Sequence, residues 1–279
     1  MDSWQDYRQF MNEALTKAAT HFHVTLNGKP TYGWYDRSIG SQVIGKQKKC
    51  WLRVVSEKKW WAQGDWWVGN IEANQIKGIP KPHVIDIYEW EDGEIQLRAE
   101  LMSFVEGHVC SSTQELKSYI DLPEQWWLEL RASLNTLSAI QTERKIGDQD
   151  RVTRRFLVFY GDDVESKVTH WITAHGDLHW ANLMAPQLTI LDWERWGKAP
   201  AGYDAATLYC YSLLVPEVAK RVYETFADIL DTPEGILAQL YVITRLLSRI
   251  DKGDCIDLAG PLHRHARNLI FRHRLNCNY

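Results

Sequence analysis

The chain has 279 residues, 45% hydrophobic and 24% charged, with a formal net charge of -4. This composition is that of a globular protein able to bury a sizeable core, as one large domain or two lobes. It argues against a nucleic-acid partner, which calls for a basic surplus, and no stretch approaches the ~18 consecutive apolar residues of a membrane span.

In chain order, MDSWQDYRQFMNEALTKAA carries early acids and no apolar leader core, so residues 1–30 read as a helical extension rather than a secretory signal. Thr31 to Asp36 is a strand candidate, Arg37 to Ser41 a turn, and Gln42 to Ile44 a short strand. Gly45 to Lys48 is a second turn, and Cys50 to Val55 (CWLRVV) a further strand. Trp66 to Lys77 reads as a helix stopped by Gly78 and the Pro80/Pro82 pair. Val84 to Trp90 and Gln96 to Val105 form a hairpin through Glu91-Asp92-Gly93. After Gly107 the period turns helical. Leu122 to Glu143 carries Trp126, Trp127, Leu130, Leu134, Leu137 and Ile140 close to a 3.6-residue period, and 233–250 begins with an N-capping Thr232 followed by Pro233. A non-helical island, Thr173 to Pro200, lies between them. The pattern predicts an α+β, bilobal fold, with lobes at 1–106 and 107–279. The cysteines at 50, 110, 210, 255 and 277 are scattered without a CxxC pair, as in a reduced, cytoplasmic protein. The 14 tryptophans are expected mostly in cores.

The island carries the chemistry. It reads HGDLHWANL from His175, then LTIL ending at Asp192. Asp177 and Asn182 are close enough in sequence to face one centre from a single loop, and a strand would aim Asp192 at the same place. Oxygen donors of this kind suit Mg²⁺, which completes its shell with phosphate oxygens and water. Asp177 is then left to orient or deprotonate a hydroxyl, the division of labour found in kinase catalytic loops.

HGDLHWANLM followed by LDWE resembles the aminoglycoside phosphotransferase family, small-molecule relatives of protein kinases. The resemblance runs from about Thr31 to at least Tyr211 and is sharp only in the island. It implies a protein-kinase-like fold with a small antiparallel-sheet N-terminal lobe and a larger, mostly helical C-terminal lobe. It also implies ATP or GTP as donor, Mg²⁺, and a hydroxyl-bearing small-molecule acceptor. By this resemblance Asp177 is the catalytic base and Asn182 and Asp192 are metal ligands. The turn with Gly40 and Ser41 covers the phosphates, Arg53 stands where the family has a lysine, and Glu72 orients it. Ser103 and Val105 supply the purine-binding backbone. The histidines 175 and 179 support the loop. An antibiotic is the first choice of acceptor, with choline, a sugar, a nucleoside or homoserine as the metabolic alternative and a ligand-binding pseudokinase as the third. No nucleic acid or membrane partner is expected, and the chain is expected to be a monomer or dimer.

Competing signals are weaker. GSQVIGKQ nearly spells a P-loop but fails at Gln47 and is followed by a strand. The histidine pairs 21/23, 175/179 and 263/265 have no third ligand at zinc spacing. The basic run from His263 reads as a solvated helix face. Trp193 and Trp196, with Glu194 between them, are either packing or a stacking wall for a ring-bearing substrate. The acids Glu194, Asp204, Asp228, Asp231, Asp251, Asp254 and Asp257 are candidates for the acidic pocket a polycation needs, but they interleave with Lys and Arg, and the many aromatics point instead to a less charged, ring-bearing acceptor such as a nucleoside or macrolide-like antibiotic.

Overall fold

The computed structural model describes residues 4–46 and 48–276. Gln47 and Cys277 lie outside them. The chain divides into two compact units, 1–77 with 81–106, and 78–80 with 107–279.

In the first unit, α1 (Trp4–His21) is followed by β1 (Thr25–Leu26), β2 (Thr31–Tyr32), β3 (Ser38–Gly45) and β4 (Lys48–Lys58). Then come α2 (Asp65–Glu72), β5 (Val84–Asp92) and β6 (Ile95–Ser103). The strands form an antiparallel sheet in the order β1-β3-β4-β6-β5, with β2 also on β3. The core follows from two periodicities. Met11, Ala14, Leu15, Ala18 and Ala19 make a helical stripe on α1, and alternate strand residues (Leu52 with Val54, Leu97 with Ala99) face it. Burying a side chain of leucine size contributes about 1.5–3 kcal/mol.

The structure revises several sequence expectations. Ser38–Ser41 is not a turn: it is the first half of β3, with Gly40 opposite Arg53 on β4. The turn lies just before it, where Trp34–Asp36 forms a single 3-10 turn. The helix expected over 66–77 ends at Glu72 and gives way to a 3-10 turn over Ala73–Gln75. Lys46 sits in the β3–β4 hairpin turn with φ +44 and a strand after it, so the P-loop reading fails on geometry.

The second unit contains β7 (His108–Val109), α3 (Glu124–Ser138), α4 (Gln149–Tyr160), β8 (Trp171–Ala174), β9 (Met184–Ala185) and β10 (Gly197–Pro200). It ends in α5 (Tyr203–Ser212), α6 (Pro216–Leu230), α7 (Pro233–Ile250) and α8 (Ala259–Asn276). α5 is buried along almost its whole length, enclosed by α6 and α7. Thr232 caps α7, its Oγ1 accepting the Gly235 N–H at 3.0 Å, a contact that contributes about 1 kcal/mol. α3 stops at Ser138 rather than Glu143. The residues that follow leave the helix, and Ile146 N–H donates to the Lys198 carbonyl at 3.0 Å. β8 and β10 pair antiparallel from Ala174↔Gly197 to Trp171↔Pro200, closing the base of the island. Trp126, Trp127 and Trp180 pack on one another in the interior. Trp34, Trp60 and Trp61 of the first unit are exposed. No described helix is long and apolar enough to cross a membrane.

Candidate active site

β8 delivers the chain to His175, a buried residue whose neighbours fix the loop from both sides. The Asp204 carboxylate at the start of α5 accepts the His175 N–H at 2.6 Å and the Gly176 N–H at 3.0 Å. Gly176 has φ +84, and a Cβ there would stand 2.7 Å from the Arg195 carbonyl oxygen, so the turn into Asp177 requires glycine. Burial lowers the His175 pKa to about 4, so the ring is neutral. Its Nε2 donates to the Leu191 carbonyl at 2.9 Å, and its Nδ1 faces the Asp177 N–H at 3.4 Å. One imidazole thereby ties the Asp177 loop to the strand-like segment that precedes Asp192.

A short hairpin brings the oxygen donors together. Leu183 and Ile190 are bridged antiparallel, and Leu191 N–H donates to the Asn182 carbonyl at 2.8 Å. Asn182 donates its Nδ2 to the Asp177 carbonyl at 3.0 Å, which leaves Oδ1 as the acceptor of that amide. Asp192 is exposed and sits in the left-handed region at φ +58, ψ +72. Such a conformation is costly for a non-glycine residue, and residues held in it cluster at functional sites. An amide oxygen and a carboxylate at one hairpin end are the donor chemistry of a Mg²⁺ that keeps phosphate and water in its remaining positions. Among the described residues no group of three or more His, Cys, Asp and Glu is placed to hold a metal ion.

Asp177 faces Arg245 of α7, whose Nη2 donates to Oδ1; Oδ2 lies 3.4 Å from His179 Nε2. Burial pushes the Asp177 carboxyl up, but the Arg245 charge and the His179 contact outweigh it and hold the group well below the usual range. Asp177 is therefore a carboxylate at neutral pH. Asp204 lacks such compensation, and burial raises it to about 6 despite its two backbone donors.

The first unit places the expected nucleotide residues separately. Arg53 Nη1 lies 3.4 Å from Glu100 Oε2 on β6, and Glu100 is fully buried, with Arg98 at 3.2 Å and Asn70 of α2 at 2.9 Å. Glu72 is the exposed last residue of α2. Gly40 is explained by packing, since a Cβ would come within 2.6 Å of the Trp51 ring. Ser41 is buried, its Oγ directed at the Gly28 carbonyl at 3.4 Å. The Ser103 N–H already donates to the His83 carbonyl at 2.9 Å, so it is not available to a purine; Val105 lies beyond the strand end.

One further expectation is corrected. Trp193 and Trp196 are 2% and 1% exposed, so neither is a stacking wall. Trp193 donates to the Ile190 carbonyl at 2.8 Å and packs edge-on against His175, while the Arg144 guanidinium lies 4.5 Å from the Trp196 ring. The backbone carbonyl of the half-buried Glu194 accepts from the same arginine. Most of the acids considered for an acidic pocket are engaged within the protein, in keeping with a less charged acceptor. Asp204 binds the loop, Asp228 pairs with Arg131, Asp254 with Arg249 and Asp257 with Lys117, and Asp231 accepts from Tyr223.

Sequence reasoning missed Arg245, Glu100 and the role of Asp204. Arg245 had one available signal: it is a charge inside the apolar run Tyr241 to Leu247.

No family model matches the chain, and no curated protein sequence does. Solved structures do. A thermostable mutant of aminoglycoside phosphotransferase APH(4)-Ia matches with a TM-score of 0.62 at 13% identity, over 93% of this chain and 99% of that one. Macrolide 2'-phosphotransferase MphH from Brachybacterium faecium matches with a TM-score of 0.56 at 12% identity, covering 92% and 98%. The GDP complex of aminoglycoside 2'-phosphotransferase-IIIa gives 0.52 at 14% identity, covering 94% and 99%. The chain thus has the α+β, protein-kinase-like fold of these phosphotransferases, with a small antiparallel sheet in one unit and a mostly helical second unit.

Proposed function

We propose that the protein is a small-molecule kinase that transfers the terminal phosphoryl group of ATP or GTP to a hydroxyl, with an antibiotic as the foremost acceptor. The observation that carries this reading is the joining of Asp177, Asn182 and Asp192 by backbone and His175 hydrogen bonds into one loop-and-hairpin unit. The fold adds weight, because similar structures include complexes with AMP-PNP and hygromycin B and with GDP.

In this reading residues 1–106 bind the nucleotide and 107–279 carry the catalytic loop and the acceptor. Mg²⁺, held by Asn182 and Asp192, supplies charge neutralisation at the phosphates when bound. The transition state is loose, so the protein's work is positioning and electrostatics. The acceptor oxygen bonds to the γ-phosphorus, the bridging oxygen leaves with the electron pair of its broken bond as nucleoside diphosphate, and the hydroxyl proton passes to Asp177. Arg53 neutralises charge on the remaining phosphates, and the neutral His175 with His179 keeps the loop in register. The protein acts in the cytoplasm, as a monomer or dimer, on a free small molecule.

The pairing of Asp228, Asp254 and Asp257 with cations favours an acceptor of lower positive charge than an aminoglycoside, such as a nucleoside or macrolide-like ring compound. Nucleoside diphosphate release, measured with ATP and with GTP across antibiotics and metabolic alcohols, tests the function. Acceptor-dependent release supports it, and the set of active acceptors separates the antibiotic from the metabolic reading. Nucleotide binding without turnover on any acceptor would instead indicate a pseudokinase.

A further inference from the structure

Arg245 lies 68 residues after Asp177 in sequence, yet it makes three contacts here, two to the loop and one to Tyr203 of α5. Nη2 donates to Asp177 Oδ1, while Nη1 donates to the Gly176 carbonyl oxygen at 3.1 Å and to the Tyr203 hydroxyl at 2.9 Å. The two side chains of the ion pair are only 18% and 19% exposed. Desolvation of both ions offsets most of the attraction in such a pair, so it is a poor source of net stability. Its geometric effect is specific. A planar guanidinium with fixed donors sets the orientation of a carboxylate in a way a flexible ammonium cannot.

The loop is held on its other side by Asp204, which takes the N–H groups of His175 and Gly176. Arg245 takes the Gly176 carbonyl and one carboxylate oxygen. Among the described residues, Oδ2 has only the long His179 contact at 3.4 Å. The next arginine one turn along α7, Arg249, is engaged with Asp254 at 3.1 Å.

We propose that Arg245 is a positioning residue of the phosphotransfer reaction: it fixes Asp177 by Oδ1 so that Oδ2 is presented to the acceptor hydroxyl. This role rests on the kinase reading above. Arg245 touches neither the hydroxyl nor the phosphorus and acts through Asp177. The proton that leaves the hydroxyl goes to Oδ2, while the contact of Arg245 with Oδ1 is kept throughout.

The test compares wild type with Arg245→Lys, Arg245→Gln, Arg245→Ala and Tyr203→Phe, measuring nucleoside diphosphate release from Mg-ATP and Mg-GTP with water as the acceptor and, in parallel, with each compound of the antibiotic and metabolic-alcohol panel. Arg245→Ala should lower kcat by roughly 10²-fold, the scale of a displaced general base, with nucleotide KM within about 2-fold of wild type. Arg245→Gln should behave similarly, and Arg245→Lys should fall between. Added methylguanidine should restore part of the Arg245→Ala rate and leave wild type unaffected. Tyr203→Phe removes one prong of the clamp and should give a smaller kcat loss at unchanged KM. Wild-type kcat in Arg245→Ala overturns the proposal. So does a loss that neither lysine nor methylguanidine relieves, accompanied by a wild-type rate in Tyr203→Phe, because Arg245 is then structural only. If the Arg245 variants do not fold, Tyr203→Phe decides alone by the same criterion. A wild-type protein that releases no diphosphate with water or any acceptor removes the kinase reading and this role together. Wild-type turnover with unaffected variants removes only the role.

Discussion

Replacing Asp204 with asparagine separates the electrostatic cost of the loop's anchor from its hydrogen bonding. The carboxyl is buried on α5 and its pKa rises from 3.8 to about 6 because burial disfavours the ion. A raised acid binds protons more tightly in the folded than in the unfolded state. Its stabilising contribution is therefore present in full below the unfolded value and is lost as pH rises through about 6. A shift of roughly two units corresponds to about 3 kcal/mol at most, and the part that falls between about pH 4.5 and pH 7.5 is about 2 kcal/mol. Asparagine does not titrate, so the stability advantage of wild type over Asp204→Asn should shrink by about 2 kcal/mol across that interval. Asp177 titrates in the opposite sense, since its depressed pKa gives stability that is lost as pH falls. Its titration lies well below the usual carboxylate range, outside the interval compared, although its charge contributes to raising Asp204. The asparagine also keeps one acceptor where two backbone N–H groups need partners, so at low pH the variant should be the less stable by about 1–3 kcal/mol. Urea unfolding followed by tryptophan fluorescence at the two pH values measures the gap. A gap that is constant, or that widens with rising pH, would refute the assignment of Asp204 as a buried, high-pKa anchor.

Other outcomes follow from the same geometry. Asp192→Ala should remove the Mg²⁺-dependent part of nucleotide binding, since it deletes one of two protein ligands; calorimetric titration with Mg-nucleotide showing wild-type affinity would place the metal elsewhere. Arg53→Ala should raise the nucleotide KM strongly and leave the acceptor KM nearly unchanged, with Arg53→Lys intermediate because charge survives and the fork is lost. An unchanged nucleotide KM in Arg53→Ala would leave Arg53 with a structural role beside Glu100. Trp193→Ala should cost about 3–5 kcal/mol, as for other buried aromatics, and lower the Tm. A variant of wild-type stability with only an altered acceptor KM would restore the substrate-wall reading.

What the sequence revealed and what it hid have physical reasons. The island was readable because Asp177, Asn182 and Asp192 lie within one short segment, and their hydrogen bonds are local. Arg245 and Asp204 reach the same loop from helices whose distance in space no local pattern encodes. α7 was legible from its cap and period, whereas α5, buried on nearly every side, has no polar face to reveal its period. Gly40 was misread as a turn glycine because the sequence does not show the Trp51 ring lying across it. Trp193 and Trp196 suggested a ligand surface by standing next to Asp192; burial, which depends on tertiary packing, decided otherwise. The excess length expected of α3 came from Ile140, whose spacing fits the helix although the chain has already turned away.

The most direct test of the central claim sets wild type beside Asp177→Asn with Mg-ATP or Mg-GTP and the acceptor panel, following diphosphate release and the phosphorylated product by mass spectrometry. The kinase account predicts a phosphorylated hydroxyl compound in the wild-type reaction. It also predicts a kcat lower by roughly 10²-fold or more in Asp177→Asn, with nucleotide affinity retained. Phosphorylation at a wild-type rate by Asp177→Asn, or no phosphorylated product from either protein, would contradict it.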